Sequence, residues 1–129
     1  MRTFFVLLCL CATPAAAQDP AKGLSLYMDY CATCHGLEAE GDGPMAPSLL
    51  LQPPDLTRLA MRNGGELPIW RIISRIDGRD PLVSHGSPMP IYGDFFEGRD
   101  VAVKAETGQP IMTSQPIVDL LAFLETVQE

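Results

Sequence analysis

The chain is poor in basic residues, and poorer still in histidine and tryptophan. Of 129 residues, nine are Lys or Arg against sixteen Asp or Glu, two are His and one is Trp. A formal charge of −7 argues against a protein that neutralises nucleic-acid phosphates or lies on anionic lipid. No apolar run approaches the roughly 20 residues that span a bilayer. The run from Phe4 to Ala12 lies between Arg2 and Ala15-Ala16-Ala17. That is the pattern of a secretory signal peptide, cleaved after Ala17. Cys9 and Cys11 fall inside it, and neither follows the small residue of a lipoprotein cleavage site. No lipid anchor or membrane anchor is expected. Removing seventeen residues from 129 leaves 112, enough for one domain over residues 18–129. Only two cysteines then remain, Cys31 and Cys34. Loss of Arg2 leaves eight basic residues against sixteen acids, a charge of −8. The expected location is a bacterial periplasm, and the expected partner surface is a basic one.

The informative feature is the run Cys31-Ala32-Thr33-Cys34-His35. C-x-x-C-H is the pattern of covalent haem attachment. Each thiol can add to one haem vinyl group, and the adjacent imidazole can reach the iron from one face. Two other chemistries use such cysteines. A thiol–disulfide enzyme needs a helix N-terminus that lowers a thiol pKa, usually in a βαβ setting; here the pair ends a helical pattern. A structural zinc site would draw on Cys31, Cys34, His35 and His85, but adjacent Cys34 and His35 are poorly disposed around one tetrahedral ion.

The chain around the motif reads as helices and long loops. Asp19-Pro20 is an N-cap and first-turn pair. Leu24, Tyr27, Met28 and Cys31 follow at helical spacing and predict an apolar face. Residues 36–54 are rich in Gly and Pro and predict an irregular loop. A short helix is expected from Asp55 or Thr57 to Met61. A stronger one runs from Glu66 to Asp77, with Ile69, Ile72, Ile73 and Ile76 inward and Arg71, Arg75 and Arg79 outward. Residues 80–109 show no helical period, with one short strand at Val101–Val103. Thr113 or Ser114 caps a last helix, whose apolar face is Ile117, Leu120, Leu121, Leu124 and Val127. The loops are long for so small a core, and a large apolar cofactor would give them something to pack against.

Taken in order, Gly23-x-x-x-Tyr27-x-x-x-Cys31-Ala32-Thr33-Cys34-His35-Gly36, Gly41-Asp42-Gly43-Pro44, Ser87-Pro88-Met89-Pro90 and the terminal helix with Phe123-Leu124 resemble the class I monohaem c-type cytochromes. The resemblance implies an all-α cytochrome c fold, three to four helices with long loops around one covalently bound haem c. It implies Cys31 and Cys34 as the haem attachments and His35 as the proximal iron ligand. Met89, between two prolines, matches the family's distal ligand; Met112 is the reserve, and His85 lies four residues before Met89. In the family a proline carbonyl supports the proximal histidine; Pro47 fits that role, with Pro44 the alternative. Gly23 and Tyr27 would lie where the first and last helices cross. Trp70 would pack, or bond a haem propionate. The implied function is one-electron transfer between periplasmic redox partners through Fe(III)/Fe(II) with His/Met ligation, not enzymatic catalysis. Two alternatives are a dedicated cytochrome subunit of a larger oxidoreductase, docked through the stretch from Phe95 to Pro110, and a haem enzyme or gas-binding protein with an open distal site.

Overall fold

The computed structural model describes residues 18–80 and 89–129. The segment expected to be a signal peptide, residues 1–17, and His85, Ser87 and Pro88 lie outside the described residues. Among the described residues, five α-helices and one hairpin follow in order. They are α1 (Pro20–Tyr30), α2 (Ala32–His35), α3 (Leu59–Arg62), α4 (Ile69–Asp77), β1 (Asp100–Lys104), β2 (Pro110–Ser114) and α5 (Gln115–Thr126).

Local chemistry sets most of the boundaries. The Asp19 carboxylate accepts from the N–H groups of Ala21 and Lys22 at 3.1 and 3.2 Å, satisfying orphan donors of α1. Pro20 occupies its first turn. Gly78 ends α4 in the left-handed conformation, φ +81°. Helix α4 begins at Ile69 rather than Glu66, because Pro68 serves as its N-cap. Pro116 sits in the first turn of α5, after Ser114.

The core is the crossing of α1 and α5. A Cβ on Gly23 would lie 1.9 Å from the Asp119 carbonyl oxygen, so only glycine allows this approach. One turn on, Tyr27 is buried against Phe123, ring centroids 4.9 Å apart. The Asp119 side chain, itself buried, accepts from the Asp19 N–H at 3.0 Å and from Gln115 Nε2 at 2.8 Å. This ties the start of α1 to α5.

The apolar face expected on α1 is corrected here. Leu24 and Met28 are half-exposed, and only Gly23 and Tyr27 are buried on this helix. The close approach at Gly23 fixes the contact line along Gly23 and Tyr27, four residues apart, and turns the neighbouring positions outward. Helix α5 is buried on nearly every side, because α1, α4 and the hairpin all pack on it.

The hairpin was only half expected. Val101–Val103 does lie in a strand, and β2 pairs with it antiparallel, Ala102 opposite Met112 and Val103 opposite Ile111. Gly108, φ +84°, closes the turn. Val103, Ile111 and Thr113 face inward and Lys104, Pro110 and Met112 outward. The stretch from Phe95 to Pro110 therefore contributes to the chain's own core. Thr113 and Ser114 look like helix-capping residues, which hid the second strand.

Candidate functional site

The five residues Cys31 to His35 form a separate helical turn. Tyr30 ends α1, Cys31 departs from helical geometry at φ −116°, and α2 runs from Ala32 to His35. The Cys31 and His35 ends are joined by the His35 N–H, which donates to the Cys31 carbonyl at 2.9 Å. Both thiols are free and half-buried. Burial, and then the neighbouring Cys34, push the Cys31 thiol up to about 11. A thiol held neutral is the opposite of what a disulfide-exchange enzyme requires. Among the described residues, no group of three or more His, Cys, Asp or Glu side chains is placed to hold a metal ion.

Residues 41–45 cradle this turn. A four-residue helix leaves its carbonyls without partners of its own. Here the N–H groups of Met45, Gly43 and Gly41 donate to the carbonyls of Thr33, Cys34 and His35 at 3.0, 3.2 and 2.8 Å. The fit admits no side chain at Gly43, where a Cβ would meet Thr33 O at 2.5 Å and Ala32 O at 2.7 Å. The Tyr27 hydroxyl donates to the Gly36 carbonyl at 2.6 Å and so hangs the end of α2 from the helix crossing. Burial pushes the Tyr27 phenol far up, which keeps it a donor.

His35 is buried, with Nδ1 3.4 Å from the carbonyl oxygen of Pro54. This corrects the assignment of Pro47, and of Pro44, to that role. Pro47 lies in a 3-10 turn, Ala46–Ser48. The chain leaves His35, passes through that turn and returns. Gly41 brings it back, since a Cβ there would be 2.4 Å from the Pro53 carbonyl. The Leu56 N–H then closes the loop on the Ala39 carbonyl at 2.8 Å. How far the loop runs before returning is set by these contacts, so the proline could not be chosen by its position along the chain. Burial lowers the His35 pKa and the Pro54 carbonyl opposes this, giving a net shift down. The imidazole is therefore neutral at physiological pH, the form that binds metals, with Nδ1 directed to a carbonyl and Nε2 left for a ligand.

Met89 is half-buried and packs on the same core as Cys31. Its neighbourhood is set by Tyr92, three residues on. The Tyr92 N–H donates to the Ile76 carbonyl at 2.7 Å and its hydroxyl to the Tyr30 carbonyl at 3.0 Å. Its ring stacks on Phe96 at 5.4 Å and meets Tyr30 edge-on at 6.0 Å. Burial first, then Cys31 and Cys34, raise the Tyr92 phenol pKa, and the hydroxyl bond to Tyr30 brings it to the residue before Cys31. Three residues span at most about 10 Å, so Met89 lies within reach of the same region. Tyr92 and Phe96 were not singled out in the sequence; an aromatic triplet beyond Met89 (Tyr92, Phe95, Phe96) was the available signal.

The other candidates fall elsewhere. Met112 is half-exposed on β2, and Met45 and Met61 are exposed. Trp70 is also half-exposed, and its backbone N–H donates to Glu106 at 3.2 Å. Arg75 and Arg79 pair with Asp80 and Asp77 at 3.6 and 2.6 Å. A groove of about 700 Å³ between the end of α4, residues 93–98 and β2 is not lined by any residue of the Cys31–His35 turn. We place the chemistry at the turn rather than the groove, because the turn carries the ligating groups.

The donor set fits a covalently held haem. Two unpaired thiols lie three residues apart, a neutral imidazole follows them, and its second nitrogen is already directed to a carbonyl. The comparison with known families agrees. The sequence model of the cytochrome c family matches residues 20–128. The chain belongs to the cytochrome c family, whose members carry covalently bound haem c and transfer electrons rather than transform substrates. No curated protein sequence and no solved structure matches the chain.

Proposed function

We propose that this protein is an exported monohaem cytochrome c that carries one electron at a time between periplasmic redox partners. Cys31 and Cys34 would attach the haem, and His35 Nε2 and Met89 would hold its iron. The observation that carries the reading is the His35 geometry, a buried neutral imidazole with Nδ1 turned to the Pro54 carbonyl. That arrangement is the usual one for a ligating histidine, because the outer hydrogen bond fixes the ring and raises its basicity.

When bound, the haem supplies the Fe(III)/Fe(II) couple. The residues of the chain do the rest. The cradle at 41–45 holds the attachment turn rigid. Pro54 orients the imidazole, and Tyr92 fixes the chain just beyond Met89. A methionine sulfur as second ligand favours the reduced form and a higher potential than a second histidine would. With His35 and Met89 both holding the iron, the site would leave no place for a substrate, as a carrier requires. The acidic sequence, −8 after removal of the signal, favours partners with a basic docking patch. Cleavage after Ala17 and periplasmic location follow from the sequence pattern. Among the described residues, no helix is long and apolar enough to cross a membrane.

The test is a redox titration of holoprotein made with a cytochrome c maturation system, with the Met89→Ala variant alongside. A c-type spectrum, a high potential and slow carbon monoxide binding are expected for the native protein. The variant should bind carbon monoxide rapidly. If native and variant bind it equally, Met89 is not the ligand. A low native potential would point instead to His85.

A further inference from the structure

The Pro54 carbonyl stands 3.4 Å from His35 Nδ1, at the long end of hydrogen-bonding distance. A few tenths of an ångström of slack in residues 54–57 would remove this contact. Something must therefore hold that segment, and the holding group comes from the far end of the chain. Gln128 Nε2 donates to the Leu56 carbonyl at 2.9 Å and to the Leu124 carbonyl at 2.7 Å. Gln128 Oε1 accepts from the Ala60 N–H at 2.9 Å. The next residue adds a backbone bond, Glu129 N–H to the Thr57 carbonyl at 2.9 Å.

Leu56 is thus clamped at both of its backbone groups. Its N–H goes to the Ala39 carbonyl and its carbonyl receives Gln128. The first contact ties it to the loop that follows His35, and the second ties it to the end of α5. Gln128 spends all its hydrogen-bonding reach on bridging the end of α5 to the 56–60 segment, while Thr126, two residues earlier, donates only within its own helix, to the Phe123 carbonyl at 2.6 Å.

We propose that Gln128 is a positioning residue for the proximal histidine. By clamping Leu56 and Ala60 it holds the Pro54 carbonyl against His35 Nδ1, and through that contact it sets the basicity of the imidazole and the potential of the haem. The proposal rests on His35 as the proximal ligand. A firmer Nδ1–H···O contact makes the ring a stronger donor and favours Fe(III). Loosening the clamp therefore raises the potential.

The experiment compares native holoprotein with Gln128→Ala, Gln128→Glu and Thr126→Val. The readouts are the exchange rate of the His35 Nδ1 proton and of the Leu56 amide by NMR, and the potential by titration. Gln128→Ala should speed Nδ1 proton exchange by roughly tenfold, the factor expected for losing one hydrogen bond of ordinary net strength, and raise the potential. Gln128→Glu keeps the acceptor for Ala60 but loses both donors, and should behave like Gln128→Ala. Thr126→Val removes a bond in the same helical turn that goes only to Phe123, and should leave both readouts at native values. Equal effects of Thr126→Val and Gln128→Ala would overturn the proposal, as would no effect of Gln128→Ala. If native ferric protein shows no iron-shifted His35 ring resonances, the ligand assignment fails instead, and the Leu56 amide rates tell the two failures apart.

Discussion

The two sides of the proposed haem site are held by different forces. On the proximal side, from Cys31 to Ala60, backbone meets backbone. Three carbonyls of α2 are capped by N–H groups of one loop, Leu56 returns to Ala39, and Pro54 reaches His35. Glycines make these approaches possible, and there is no space for adjustment at Gly43. On the distal side, the chain next to Met89 is held by rings. Tyr92 lies against Tyr30 and Phe96, with one hydroxyl bond to Tyr30 and one backbone bond to Ile76. Backbone cradles are stiff and intolerant of added atoms. Ring packing is broad in area, and each hydrogen bond within it is worth little. Under the ligation proposed above, the distal side should therefore give way first.

The sharpest way to break this contrast is Gly43→Ala. Its Cβ would press on backbone oxygens of α2 that no side-chain movement can relieve. A loss of about 3 kcal/mol or more is expected, at the upper end of overpacking costs. Thermal unfolding of the holoprotein measures it, and reduced haem incorporation should accompany it. A loss below about 1 kcal/mol would show the cradle to be softer than its contacts imply.

The distal counterpart is Tyr92→Phe, which keeps the ring and removes only the hydroxyl bond to Tyr30. About 0.5–1.5 kcal/mol should be lost. Carbon monoxide should bind faster to the reduced variant, while His35 Nδ1 proton exchange stays native. An effect on both faces would mean that the two sides are mechanically coupled.

The smallest effect is electrostatic. The Thr57 hydroxyl, 2.5 Å from Asp55 Oδ1, is the chief cause that lowers the Asp55 carboxyl pKa; burial opposes it, and the Thr57 N–H, Arg58 and Arg62 reinforce it. A carboxyl whose pKa is lower in the folded state stabilises the fold above its ordinary value, about 3.9. That contribution is lost as pH falls through the folded pKa. Asp55→Asn should therefore be less stable than native near pH 7, with the gap closing below pH 4 or so. Denaturant midpoints at both pH values check this; a gap that persists in acid would assign the loss to the Asx turn geometry rather than the charge.

Much of the proximal side could be read from residues alone. Cys31-Ala32-Thr33-Cys34-His35 announces its chemistry, Asp19-Pro20 and Gly78 mark helix ends, and Gly41 and Gly43 signal a tight loop. These are legible because they depend on one residue's own stereochemistry or on neighbours within a turn. The crossing at Gly23 and Tyr27 was legible only through the family resemblance, since helical spacing alone pointed to Leu24, Tyr27, Met28 and Cys31. The second strand was not, because Thr113 and Ser114 favour a helix cap as readily as a strand end.

By itself, then, the sequence determined the C-x-x-C-H turn, the three longer helices and the acid-rich character of the chain. Tertiary structure alone decided that Pro54 and not Pro47 faces His35, that Leu24 and Met28 turn outward, that the Tyr92 hydroxyl reaches Tyr30, and that Gln128 reaches back to Leu56. Each of these depends on the path of a loop or the line of contact between two helices. Such paths are fixed by the sum of many weak long-range contacts, and no local pattern of residues encodes that sum.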